Sequence, residues 1–135
     1  MQNQLDELKI NSNNISLTNT EGNTAIFLDD ADVTVKAEII NNTITKAVRG
    51  IIVNMGQAPN IERNNITLNN TIYSSFVPNY GIGLFDVSSL LSNAQVHYNI
   101  ISSNSMTSNT MVNGIASSIT IYRLPFTCNE IEKTG

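Results

Sequence analysis

The side chains with the widest chemical reach in this 135-residue chain are a few carboxylates, one histidine, one cysteine and a group of aromatics. Asp29, Asp30 and Asp32 sit together, and Asp86 lies far along the chain. Carboxylates facing each other across a groove at ~5 to 9.5 Å can hydrolyse a glycosidic bond, one as acid and the other as nucleophile or base. Asp29 or Asp30 with Asp86 is the pair to weigh for that chemistry. The three clustered aspartates could also grip a cation, but they lack the glycine and distal glutamate of a calcium loop. A solvated acidic loop fits them better, and no metal or cofactor site is assigned. His97 stands between Val96 and Tyr98. To act as a general base it would need a nucleophile or substrate pocket, and the sequence names neither. Cys128, alone, excludes an intrachain disulfide and an all-cysteine metal site. It is expected as a small buried or half-buried residue.

The aromatics Tyr73, Phe76, Tyr80 and Phe85 gather around one long polar stretch and the strand it leads into. Sugar rings stack on aromatic faces, and amphipathic rings are favoured at interfaces. These four are the expected ligand-binding residues; the competing expectation is that the loop folds back and covers the side of the molecule.

Composition narrows the classes. Hydrophobic residues make up 41% of the chain and charged residues only 13%. Asn, Ser and Thr supply the remaining polarity, with Asn at about one residue in six. Such a chain is expected to be ordered, β-rich and a single domain. Seven Lys plus Arg at a net charge of −4 argue against nucleic acid, which needs clustered cations. No run approaches the ~18 apolar residues of a membrane span, so no membrane partner is expected. Met1 to Leu8 lacks the basic region and apolar run of a signal peptide. Asn-x-Ser/Thr triplets at Asn14, Asn41, Asn65 and Asn69 are what this composition produces by chance.

The elements that must position these residues are written in a repeat. An apolar residue, two variable positions, Asn, another variable position and an apolar residue recur at 10–15, 39–44, 61–66, 96–101 and 126–131. The shared asparagines are Asn13, Asn42, Asn64, Asn99 and Asn129. A second signal, a small residue followed by Ile, recurs as Ala25-Ile26, Gly50-Ile51, Gly81-Ile82 and Gly114-Ile115. The distance from the first signal's last apolar residue to the second signal's Ile varies as 11, 7, 16 and 14 residues, whereas the first signal never changes length. One corner of each cycle is therefore rigid and the others accept insertions. A period of 22 to 35 residues falls among solenoids. Short Ile-rich runs broken by Asn, Gly and Ser favour strands over helices. Asn suits the rigid corner because it tolerates left-handed backbone. Its amide can also bond the Asn one coil above and below, with coils ~4.8 Å apart.

This pattern resembles the right-handed parallel β-helix, the pectate-lyase-like superfamily, and covers about residues 9–132. The resemblance implies an all-β fold: a short, right-handed, single-stranded parallel β-helix of four to five coils. Residues 1–9 are expected to form an N-terminal cap, with Leu5 and Leu8 on a short amphipathic turn, and 10–135 the β-helix. Lyases of that superfamily cluster acidic residues for calcium on the outer face of one sheet. Here the outward positions after the second signal's Ile read Phe27, Ile52, Gly83 and Ala116, then Asp29, Asn54, Phe85 and Ser118. That face is too poor in carboxylates for such a site. Asp29 and Asp86 would stand two coils, ~10 Å, apart, just outside the glycosidase range.

The expected role is a non-enzymatic structural or glycan-binding module, similar to phage tailspike or surface adhesin β-helices, on a virion or outside the cell. Its expected partners are a glycan and further copies of itself, as a homotrimer through the apolar stripe Phe27, Ile52 and Phe85. The alternatives are a carbohydrate-active enzyme using Asp29, Asp30 and Asp86, and a protein-binding inhibitor module using the acidic loop 29–32.

Overall fold

The computed structural model describes residues 7–18, 23–29, 36–54, 59–69, 79–85, 95–103, 112–117 and 126–133. All regular structure among them is β-strand. The first sheet contains β1 (Glu7–Asn11), β4 (Lys36–Ile40), β7 (Asn60–Glu62), β10 (Gln95–His97) and β13 (Phe126–Thr127), in that spatial order. The second contains β2 (Asn14–Ser16), β5 (Thr43–Ala47), β8 (Asn65–Leu68), β11 (Ile100–Ser103) and β14 (Glu130–Lys133). The third contains β3 (Thr24–Asp29), β6 (Arg49–Asn54), β9 (Asn79–Phe85) and β12 (Val112–Ser117). Every pairing is parallel.

Parallel neighbours cannot be joined by a tight hairpin. Here the chain returns to each sheet by way of the other two, visiting the three in the same order each time. That arrangement is compatible with a β-helix-like solenoid, and it explains the alternation in the sequence. One residue of each strand must face the shared interior at the same register in every layer. Thus Ile10, Ile39, Ile61, Val96 and Phe126 are register partners in the first sheet. Ile15, Ile44, Ile66, Ile101 and Ile131 are partners in the second, and Ile26, Ile51, Ile82 and Ile115 in the third. Ile39, Ile44, Ile51, Ile61, Ile66, Ile82 and Val96 are fully buried and form one continuous core. β-branched side chains suit such columns because they stack on their own kind with little rotamer freedom to lose.

The recurring small residue has a steric cause. A Cβ on Gly81 would lie 2.6 Å from the carbonyl oxygen of Gly114 and 2.6 Å from Ile101 Cγ2. Gly50 meets Gly81 and Ile66 in the same way. Backbones and isoleucines of successive layers approach there more closely than any side chain allows.

The rigid corner is held by hydrogen bonds. In each of Asn13, Asn42, Asn64 and Asn99 the main-chain N–H and a side-chain N–H both donate to Oδ1 of the next asparagine, at 2.9–3.0 Å. The remaining side-chain N–H of Asn42, Asn64, Asn99 and Asn129 reaches back to the carbonyl of Ile10, Ile39, Ile61 and Val96, at 2.7–2.9 Å. Interior amides are thus fully used, as burial requires. Asn42, Asn64 and Asn99 are at most 1% exposed.

The left-handed backbone is not where it was expected. Positive φ falls on the residue before each ladder asparagine: Ser12, Asn41, Arg63, Tyr98 and Cys128, at 53° to 57°. The asparagine itself needs ordinary backbone to aim its amide along the stack, so its predecessor takes the turn. Cys128 is accordingly exposed rather than buried. Lys46, the remaining non-glycine at positive φ, sits where the β5–β8 register slips by one residue as a bulge. Strand β1 begins at Glu7, so residues 7–9 of the expected cap pair with β4; Leu5 lies outside the described residues.

Candidate functional site

The left-handed position turns five chemically unrelated side chains outward in one exposed column: Ser12, Asn41, Arg63, Tyr98 and Cys128. Two of them interact. The Arg63 guanidinium carbon lies 5.5 Å from the Tyr98 ring centroid, within cation–π range. Arg63 also pairs with Glu62 at 2.6 Å. His97 is the register partner of Glu62. Its ring lies 6.1 Å from that of Tyr98, inclined at 42°. Glu62, Arg63, His97 and Tyr98 therefore form one charged and aromatic patch beside the asparagine ladder. Tyr98 is 52% exposed. Arg63 retains guanidinium donors that a carboxylate or hydroxyl could accept, beside a ring on which an apolar face could rest. Sequence reasoning missed Arg63 and Tyr98. The available signal was the column itself, found by comparing the residue before Asn in all five repeats.

A second surface lies on the outer face of the third sheet. Phe27, Ile52, Gly83 and Ala116 are register partners, and so are Asp29, Asn54 and Phe85. Phe85 bends back over Gly83: a Cβ on that glycine would sit 2.5 Å from Phe85 Cε2 and 2.8 Å from Ile52 Cδ1. Tyr80 meets Phe85 edge to face, with centroids 5.2 Å apart and planes at 64°. Beside this pair the Asn54 side-chain N–H donates to Asp29 Oδ1 at 2.6 Å. Of the expected apolar stripe, Phe27 is 56% exposed, whereas Ile52 is buried at 4% despite its outward direction. Tyr80 and Phe85 are therefore brought together. Tyr73, Phe76, Asp30, Asp32 and Asp86 lie outside the described residues, so no distance joins Asp29 to Asp86.

Among the described residues no three His, Cys, Asp or Glu side chains converge as metal ligands. No helix there is long and apolar enough to cross a membrane. Fold and surface together define an all-β protein of stacked parallel sheets with an internal asparagine ladder. No family model matches the chain, and no curated protein or solved structure matches it significantly.

Proposed function

We propose that the chain is a short right-handed, single-stranded parallel β-helix of four to five coils, working as a non-enzymatic structural or glycan-binding module of the phage-tail or cell-surface type. The observation that carries this proposal is the Tyr80–Phe85 pair set directly beside the Asp29–Asn54 hydrogen bond. A sugar presents an apolar ring face and a rim of hydroxyls, and this surface offers a ring edge next to a carboxylate and an amide. Tyr80 and Phe85 on β9 and Asn54 on β6 lie on strands with parallel partners on both sides, and Asp29 lies on β3, paired with β6, which keeps the groups in place before a ligand arrives. The exposed Phe27 also favours lateral association of copies.

Binding of a panel of neutral and acidic oligosaccharides, followed by isothermal titration, tests the proposal. Saturable binding is expected, with at least a tenfold loss in both Tyr80→Ala and Asn54→Ala while their thermal melts stay close to wild type. Absence of binding across the panel, or binding indifferent to both substitutions, would overturn it.

A further inference from the structure

Two rows of side chains cross the outer face of the third sheet. Phe27, Ile52 and Gly83 are register partners in one row, and Asp29, Asn54 and Phe85 in the other. Neighbouring strands lie ~4.8 Å apart, and the rows are two residues, ~6.6 Å, apart along each strand. Asp29 therefore stands ~10 Å across the sheet from the Phe85 backbone, with Asn54 midway between them. The Phe85 ring leaves its own row and folds over Gly83, where a Cβ would lie 2.5 Å from Phe85 Cε2. It meets Tyr80 edge to face there. These rings and the exposed ring of Phe27 bracket one side of an uncharged strip. The hydrogen-bonded Asp29–Asn54 pair borders the other side.

The polar groups of this strip are biased in sign. Asp29 Oδ1 accepts the Asn54 side-chain N–H, and an ionised carboxylate can only accept. Asn54 adds a carbonyl and one further N–H, and Tyr80 one hydroxyl. Among the described residues of β3, β6, β9 and β12, Asp29 is the one carboxylate and Arg49 the one cation. Arg49 lies five residues before Asn54 on β6, ~16 Å along the strand. That is beyond the ~8 Å over which exposed charges act on each other at physiological salt. The chain as a whole carries −4. A ligand hydroxyl can donate to Asp29. A ligand carboxylate would bring a like charge, and acceptors only, to a place short of donors.

Resting on the glycan-binding reading above, we propose that this strip selects its ligand by charge: it takes neutral glycans and excludes those bearing carboxylates, the uronic and sialic acids, and Asp29 is the residue that excludes them. The aromatic rings do not separate the two classes, because neutral and acidic pyranoses alike present an apolar face. Discrimination falls to the carboxylate, which accepts from a hydroxyl and repels an anion.

Isothermal titration with matched ligands tests this: glucose, galactose and mannose oligosaccharides against the corresponding uronate oligosaccharides, and lactose against sialyllactose. Each acidic counterpart of a neutral binder is expected to bind roughly tenfold more weakly. In Asp29→Asn, which keeps an acceptor oxygen for Asn54, that ratio is expected to fall below about threefold. It should fall likewise for the wild type in about 1 M salt, where the screening length is ~3 Å. An acidic glycan that binds as tightly as its neutral counterpart, and is still weakened by Tyr80→Ala and Asn54→Ala, would overturn the charge selection and leave the glycan reading standing. A ratio that a folded Asp29→Asn variant leaves unchanged would do the same. If the melt shows that variant unfolded, the wild-type salt series decides, and a ratio unmoved by salt overturns the proposal. No binding by any ligand would overturn both.

Discussion

Asn64 donates its main-chain N–H, at 3.0 Å, and its side-chain N–H, at 2.9 Å, to one and the same atom, Oδ1 of Asn99. Its own Oδ1 receives the corresponding pair from Asn42. Asn64→Leu removes a group that serves three neighbours, leaving buried donors on Asn42 unpaired and taking a donor from the Ile39 carbonyl. Burial without partners costs more than the bonds themselves contribute. We expect a loss of roughly 1 to 3 kcal/mol in urea titration; a neutral result would mean the ladder does not hold the corner.

Cys128 gives the opposite expectation. It is exposed at φ 55°, a conformation that costs most side chains about 1 kcal/mol and asparagine less. Cys128→Asn should therefore raise stability by about 0.5 to 1 kcal/mol, seen as a higher melting temperature without change in the circular dichroism spectrum. A fall in melting temperature would show that the thiol contributes something the turn geometry does not reveal.

These two positions mark how far the sequence could be read. The ladder was legible because one chemical demand, an amide bonding its own kind above and below, falls on the same residue type in all five repeats. The register of Phe27, Ile52 and Gly83 was legible because the small-Ile signal anchors each strand. The left-handed corner was misplaced by one residue because nothing about Ser12, Asn41, Arg63, Tyr98 and Cys128 suggests a shared conformation. It is imposed by the bonds of the following asparagine, a tertiary effect that overrides local preference. Hence the Arg63–Tyr98 contact went unseen. The burial of Ile52 also lay beyond strand alternation, since it depends on the Phe85 ring bending along its strand to cover Gly83.

Lys9 bonds Glu7 at 2.9 Å and lies 3.8 Å from Glu38 on the next strand. The hydrogen bond to Glu7, then the charges of Glu7 and Glu38, raise its pKa above the ordinary 10.5. A raised pKa means the folded state holds the proton more tightly. The contribution is fully present below 10.5 and disappears as pH rises through the folded value. The stability gap between wild type and Lys9→Met should be constant through neutral pH and close at higher pH. It should also shrink with salt, because the group is exposed. A gap that persists after the lysine has titrated would assign it to packing of the aliphatic stem.

Gly81 and Gly114 occupy the same place in successive layers, yet they should respond differently to a methyl group. At Gly81 the nearest atoms to a new Cβ are the Gly114 carbonyl oxygen at 2.6 Å and Ile101 Cγ2 at 2.6 Å. Ile101 is 2% exposed, with paired strands on both sides. Neither neighbour can yield without parting the layers, so Gly81→Ala should cost about 1 to 3 kcal/mol, the range for overfilling a packed core. At Gly114 the nearest atom is Ile131 Cδ1 at 2.5 Å. That side chain, at 58% exposure, is free to swing outward, so Gly114→Ala should cost less than half as much. Chemical denaturation of the two variants side by side checks the difference. Equal costs would mean that Ile131 is held as firmly as Ile101, the outcome expected where a further layer covers it.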